Sequence, residues 1–295
     1  MVFCAIACPL CGGNEYDVVR AAQAAPDVTA FRASSDDKLM EQLVRCRGCE
    51  LVYVNPRIDE GLLVESYASA VDPQFIAQNP ERIRTFAGLL KKSLPRPAPG
   101  TTLLDVGCAG GAFLVAAREY GFAATGVEPS RWLAESGRSQ YGVDIRDGIL
   151  RPGMFPDASF DVITLWDVIE HVAEPAALLA TIHRLLKPEG RLLVNYPDYG
   201  SWMGRLLGER WPFLLSVHLL YYTRATMSAQ LRRAGFSPLQ IRPHFQALQL
   251  GYILKRMEPY LAFSRHLRSM VGAVGLGGVP VTYNMGQTLV VARKS

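Results

Sequence analysis

The run Leu103-Leu104-Asp105-Val106, followed by Gly107-Cys108-Ala109-Gly110-Gly111, most narrows what this chain of 295 residues can fold into. A short apolar segment after Pro99-Gly100 reads as a buried parallel strand, and the glycines read as a tight turn opening into a helix through Tyr120. Glycine suits a place where the backbone turns sharply and approaches a ligand, because a Cβ would obstruct both. Ala123 to Glu128 reads as a second strand with an acid at its carboxyl end. Glu128 follows Asp105 by 23 positions, near the spacing of about 20 residues at which such units carry a ribose-binding carboxylate. The pattern predicts a nucleoside site in which Glu128 bonds the ribose hydroxyls. A dinucleotide such as NAD satisfies it as well as any other nucleoside cofactor.

The alternation continues downstream. Ser130 to Gln140 reads as a helix, Val143-Asp144-Ile145 as a third strand, and Phe160 to Trp166 as a fourth, entered from the turn at Phe155 to Ser159. Asp167 stands at the end of that fourth strand, with Glu170 and His171 where the next helix is expected to begin. Ala176 to Leu186 is amphipathic, Lys187-Pro188-Glu189-Gly190 is a turn, and Arg191 to Tyr196 is a fifth strand. Thr226 to Ala234 reads as a helix stopped by Gly235, Ser237 to Arg242 as a sixth strand, and Thr288 to Ala292 as the last. In an open α/β sheet ligands bind beyond the carboxyl ends of the strands. Asp167, Glu170 and His171 are therefore the best-placed acids and imidazole in the chain, and the alternative is that Glu170 and His171 only fix their loop by hydrogen bonds.

Taken together, Asp105-x-Gly107-x-x-x-Gly111, Glu128, the segment Phe160 to Val172 and the segment Leu185 to Leu192 resemble the class I S-adenosylmethionine-dependent methyltransferases. The resemblance covers about 101–236 and departs at Ala109, where many members carry the middle glycine of the loop. It implies a Rossmann-like mixed α/β sheet of about seven strands with flanking helices. It also implies a cofactor site drawn from Asp105, Gly107, Gly111, Glu128, Gly148, Ile149 and Asp167, with the loop at Asp147 to Ile149 near the adenine and the Asp105 to Gly111 backbone at the methionine end. Asp144 and Asp147 can exchange roles by a short shift of that loop. Methyl transfer from a sulfonium asks the protein chiefly to position an acceptor and remove its proton. His171 and then His218 are the candidates for that base, with Tyr221 and Tyr222 as further acceptor-side residues. The aromatic stretch from Pro197 through Trp202, Trp211-Pro212-Phe213 and Tyr222 follows a strand end, where a substrate wall would form.

Four of six cysteines form two pairs, Cys8-Pro9-Leu10-Cys11 and Cys46-Arg47-Gly48-Cys49. Two C-x₂-C knuckles can place four thiolates tetrahedrally around one structural Zn²⁺. The 34 residues between the knuckles leave room for two strands and a loop. Such a small ribbon lacks a core of its own, so metal would supply much of its folding energy. A disulfide pair and a redox C-x-x-C are the alternatives; Cys4 and Cys108 are left over. The expected organisation is a zinc-ribbon-like module at 1–56, a helical linker at 57–99 ending in Leu94-Pro95-Arg96-Pro97-Ala98-Pro99-Gly100, and a catalytic domain at 100–295. Within it, the mixture of Tyr252, Leu254, Arg256, Tyr260, Phe263, Arg265 and Arg268 suggests a helical lid or insertion at 246–281, before the last strand.

Charge is uneven. Residues 201–295 hold 12 Lys and Arg against Glu209 and Glu258, so they carry +10 and residues 1–200 carry −6 of the overall +4. Solvated arginines account for this, and so does attraction to an anionic acceptor or peripheral contact with a membrane surface. The N-terminus lacks the basic region of a signal peptide, and the uncharged stretch 269–292 is interrupted by glycines, Pro280 and Asn284, so the protein is expected in the cytoplasm. The leading function is methylation of a small molecule at O, C or N, such as a sugar, a polysaccharide or lipid intermediate or another secondary metabolite. An RNA methyltransferase holding its target through the zinc module is a second reading. Nucleic acid is not the expected partner, because no Asn/Asp-Pro-Pro-Tyr signature follows the fourth strand and the ribbon has no dense basic patch with interleaved aromatics. A non-catalytic nucleoside-binding protein is a third reading. Neither the acceptor nor the oligomeric state is legible.

Overall fold

The computed structural model describes residues 3–23, 37–258 and 263–295. The N-terminal segment contains β1 (Phe3–Cys4), β2 (Tyr16–Arg20), β3 (Leu43–Cys46), β4 (Val52–Val54) and β5 (Arg57–Ile58), followed by α1 (Glu60–Ala68), α2 (Pro73–Ile76) and α3 (Asn79–Ser93). Asp59 and Asp72 cap the first two helices by accepting from backbone N–H groups, and α2 and α3 each carry a proline in the first turn, where its missing N–H costs nothing.

The alternating part follows as β6 (Thr102–Val106), α4 (Ala112–Tyr120), β7 (Ala123–Glu128), α5 (Arg131–Tyr141), β8 (Asp144–Asp147), β9 (Phe160–Trp166), α6 (Pro175–Leu185) and β10 (Leu186–Pro197). Lys187 to Gly190 is an excursion within β10, whose register against β9 shifts between Leu186 and Arg191. The chain then forms α7 (Trp202–Leu207), β11 (Leu220–Tyr221), α8 (Arg224–Arg233), β12 (Phe236–Pro243), β13 (Gln246–Gln249), α9 (Leu250–Met257), α10 (Ser264–Ala273), β14 (Pro280–Tyr283) and β15 (Gln287–Lys294).

Seven strands form one sheet in the order β12-β15-β10-β9-β6-β7-β8. β6 pairs in parallel with β7 on one side and β9 on the other, and β15 is antiparallel to both β10 and β12. The expected mixed sheet with flanking helices is thus present. Its strand order reverses between β6 and β9, which opens a crevice at their carboxyl ends. Phe86, Leu89 and Leu90 of α3 pack with Phe113 and Ala116 of α4 over one face. Leu179, Ile182 and Leu185 of α6 join Met227 and Leu231 of α8 over the other.

A second sheet has the order β11-β4-β3-β2, so a strand that follows β10 in sequence completes the N-terminal sheet. The lid expected at 246–281 is helical in α9 and α10. β13 and β14 flank these helices and pair antiparallel with each other, an addition the helical periodicity did not reveal. Tyr260 lies outside the described residues. Among the described residues no helix is long and apolar enough to cross a membrane.

Candidate active site

Two cavities meet at the sheet's switch point. The first, about 460 Å³, runs past Gly107, Ala109, Val127, Glu128, Leu133, Gly148, Ile149 and Leu150. The second, about 410 Å³, is walled by Phe75, Trp166, Phe213, Tyr252 and Tyr283. Asp72, Phe75, Gly107, Ala109, Asp167 and His171 line both, so these residues form the boundary between them.

Glu128 is buried at the end of β7, and both its oxygens are occupied: the Ala109 N–H donates to Oε2 at 2.7 Å and the Ser130 N–H to Oε1 at 2.8 Å. Burial outweighs these bonds and pushes its pKa up to about 7. Asp105, also buried, accepts from Thr164 Oγ1 at 2.6 Å, and burial pushes it up to about 8. Gly107 has φ +72°, and a Cβ there would stand 2.6 Å from Val168 Cγ2, so the loop tolerates only glycine at this point. Ala109 adopts φ +47° and Asp167 φ +54°. Neither is glycine, and such backbone strain collects at functional sites.

Gly148 and Ile149 line the first cavity. Asp147 instead pairs with Arg138 at 2.8 Å, while Asp144 accepts from Thr125 Oγ1. Gly111 lines neither cavity. It precedes α4 in a left-handed conformation, where a Cβ would press on Val143.

Asp167 is held by side-chain amides: Asn195 Nδ2 donates to Oδ1 at 2.7 Å and Gln287 Nε2 to the same oxygen at 2.8 Å. Burial raises its pKa although Arg82 opposes the shift. Arg82 lines the second cavity and a recess against Gly107 to Gly110, its guanidinium 4.3 Å from the centre of the Phe75 ring.

His171 and His218 are brought together, ring centres 4.7 Å apart, although 47 positions separate them. Both line the second cavity. His171 Nδ1 lies 2.9 Å from the Val217 carbonyl and 2.9 Å from Tyr67 Oη, and burial lowers its pKa to about 4. His218 Nδ1 lies 2.8 Å from the Phe213 carbonyl, and burial lowers its pKa well below the ordinary value. Both rings are neutral at pH 7. Of the stretch expected to wall the acceptor, Phe213 does so together with Pro197 and Pro212. Tyr221 and Tyr222 are core residues, Trp211 is buried with its Nε1 donating to the Met285 carbonyl, and Trp202 points to solvent.

Arg82, Tyr67, Asn195 and Gln287 escaped the sequence reading. Only Arg82 carried a signal: with Phe86 it stands at helical spacing on α3, a charge on the face that the apolar residues bury.

At the N-terminus the four sulfurs of Cys8, Cys11, Cys46 and Cys49 lie within 4.8 Å of one another. Cys8 and Cys49 are 3.5 Å apart and Cys11 and Cys46 3.4 Å. Tetrahedral coordination with Zn–S of about 2.3 Å requires S···S of about 3.8 Å, so the donor set fits zinc with small adjustment. Burial pushes the Cys8 thiol up to about 11, a proton that a bound cation would displace.

The chain matches a family profile described as a methyltransferase domain over residues 76–241. It is 37% identical over 107 residues to a ubiquinone biosynthesis O-methyltransferase of Caulobacter vibrioides, covering 33% of this chain and 41% of that protein. It is 33% identical over 105 residues to a 2-methyl-6-phytyl-1,4-hydroquinone methyltransferase of Synechocystis, covering 32% of each. The chain thus spans about two fifths, or less, of the length of these curated relatives. Among solved structures, a SAM-dependent methyltransferase from Archaeoglobus fulgidus superposes with a TM-score of 0.52 at 15% identity, covering 76% of this chain and all of that one. Another, from Thermotoga maritima, gives 0.50 at 20% identity over 75% of this chain and 94% of that one. Both likenesses concern the fold.

Proposed function

This chain belongs to the methyltransferase-domain family, and from that premise we propose that it transfers a methyl group from S-adenosylmethionine to an oxygen of a small organic acceptor. The observation that carries the proposal is the meeting of two cavities at Asp167 and His171, the first with a buried carboxylate and the second walled by aromatics. The first cavity fits the cofactor on its own chemistry. Glu128 is the ribose acceptor, Leu133, Ile149 and Leu150 form an apolar wall for adenine, and glycines 107 and 148 keep the backbone approachable. Arg82, beside the glycine loop, offers a cation to a carboxylate there.

The cofactor supplies an activated sulfonium methyl group. The remaining work falls to this chain's residues: hold the acceptor in line, exclude water and take a proton. His171, neutral and at the boundary of the two cavities, is the group placed to hold or accept that proton. The aromatic walls favour a ring-bearing or lipid-like acceptor, and the name of the Caulobacter relative, an O-methyltransferase, favours an oxygen as the atom methylated. The basic C-terminal third favours an anionic one. We also propose that Cys8, Cys11, Cys46 and Cys49 bind one structural zinc ion.

Calorimetric titration with S-adenosylmethionine and, separately, NAD tests the reading. Saturable binding of the first alone is expected; preference for NAD would overturn it and require a redox function.

A further inference from the structure

Glu170 is the least accounted-for side chain in the molecule. It is 2% exposed, and among the described residues neither carboxylate oxygen has a hydrogen-bond partner. The nearest cationic candidate is His171 Nε2, 4.0 Å from Oε1. A buried carboxylate in that position calls for a counter-charge or a proton. Methyl transfer as described above gives it no task.

The two neighbouring imidazoles are arranged to meet it. A carbonyl oxygen can only accept, so the Val217 contact sets the proton of His171 on Nδ1, and the Phe213 contact does the same for His218. Each Nε2 is then a free lone pair. A histidine whose other nitrogen is fixed by a backbone carbonyl is the arrangement found at metal-ligating imidazoles. One ligand atom each from Glu170, His171 and His218 lies within 4.8 Å of the other two. Two segments hold the group from both sides: the Leu219 N–H donates to the Glu170 carbonyl at 2.8 Å, while His171 reaches back to Val217. All three residues line the second cavity, which gives an ion a way in.

We propose that Glu170, His171 and His218 form a divalent-metal site in the wall of the acceptor cavity. Two imidazoles and one carboxylate suit borderline ions such as Mn²⁺, Fe²⁺, Co²⁺ or Zn²⁺ and leave coordination positions open. Resting on the methyltransferase reading, the ion's role is to bind a hydroxyl oxygen of the acceptor and favour its deprotonated form at neutral pH. The hydroxyl proton leaves to solvent, the new C–O bond forms as the cofactor's C–S bond breaks, and the cofactor departs as a neutral thioether. The same site makes His171 a metal ligand rather than the general base.

The test uses the full chain loaded with a single equivalent of zinc, which the four thiolates take first, titrated with Mn²⁺ and followed by electron paramagnetic resonance. Manganese prefers nitrogen and oxygen donors and does not compete for four thiolates. One equivalent is expected to bind wild type, with at least tenfold weaker binding in His218→Ala and in Glu170→Gln. Glu170→Gln keeps the shape and removes an unpaired buried charge, so it guards against a folding failure in the histidine variant. Mn²⁺ should also raise the melting temperature of wild type and leave that of Glu170→Gln unchanged. No stoichiometric binding to folded wild type, or equal binding to both variants, would overturn the site. Titration with S-adenosylmethionine in the same samples separates the two readings. Cofactor binding without manganese binding removes the metal alone, and manganese binding without cofactor binding removes the methyltransferase assignment while leaving the metal.

Discussion

Glu128 is the residue on which the proposed cofactor site turns. Its two oxygens face backbone N–H groups of the glycine loop and of the turn into α5, so the carboxylate is fixed in place before any ligand arrives. Glu128→Ala should weaken S-adenosylmethionine binding at least tenfold, about 1.4 kcal/mol or more, while zinc content and the far-ultraviolet circular dichroism spectrum stay as in wild type. Unchanged affinity by calorimetry would remove Glu128 from the site. Asp105, Glu128 and Asp167 could be singled out in the sequence because each stands at or within one residue of the end of a parallel strand, and strand ends are readable from apolar runs. Tyr67 could not, since it reaches the site from α1 through packing alone, and Arg82 left only the weak sign of a charge on the apolar face of α3. The idle carboxylate of Glu170 was equally hidden: the sequence shows an acid beside a histidine, and only three dimensions show that none of the described residues bonds it.

At the scale of elements, Ala123–Glu128 and Phe160–Trp166 of the main sheet were legible without any shift, whereas β8 runs two residues further than expected and β10 starts at Leu186, ahead of the expected turn. Each is a compact run bounded by turn residues. The segment at Glu170 and His171 was harder: it is a short 3₁₀ turn at Ile169–His171, and α6 starts only at Pro175. β13 and β14 were missed because four-residue strands that pair across 30 intervening residues leave no local periodicity. The N-terminal sheet depends on its cysteines in a way that can be measured. Cys46 ends β3 and its thiol faces Cys11, while β4 is clamped between β3 and β11. Cys46→Ser should release one equivalent of zinc to a chromophoric chelator. Amide exchange in β2 to β4 should then accelerate at least tenfold, with β6 and β9 retaining their protection. A metal-free wild-type protein of full stability would count against zinc as a structural ion.

For the molecule as a whole, the buried ionisable groups pull stability in opposite directions along the pH axis. Asp105 at about 8 and Glu128 at about 7 stand above the ordinary carboxylate range through burial. Above about pH 4 the folded chain therefore holds protons that the unfolded chain has released, so this contribution is full below about pH 4 and is lost as pH rises from there through 7 and 8. His244, buried beside Trp166, is lowered to about 4. The unfolded chain takes up its proton near 6.5, the folded chain does not, and stability falls as pH drops from 6.5 toward 4. Urea midpoints should accordingly fall from about pH 6.5 to 8, where only the acids change their protons, by about 1.4 kcal/mol per pH unit for each proton involved, and change less between about pH 4 and 6.5, where His244 opposes the acids. Cofactor affinity should move the other way on the alkaline side. A ribose hydroxyl donates best to an ionised carboxylate, so S-adenosylmethionine should bind more weakly as pH falls below 7, the range in which the empty protein becomes more stable. In Glu128→Ala the pH dependence of the remaining affinity should disappear and the alkaline loss of stability should shrink to the share due to Asp105. If affinity and stability instead rise and fall together in wild type, Glu128 is not the group that links the cofactor site to the proton balance of the fold.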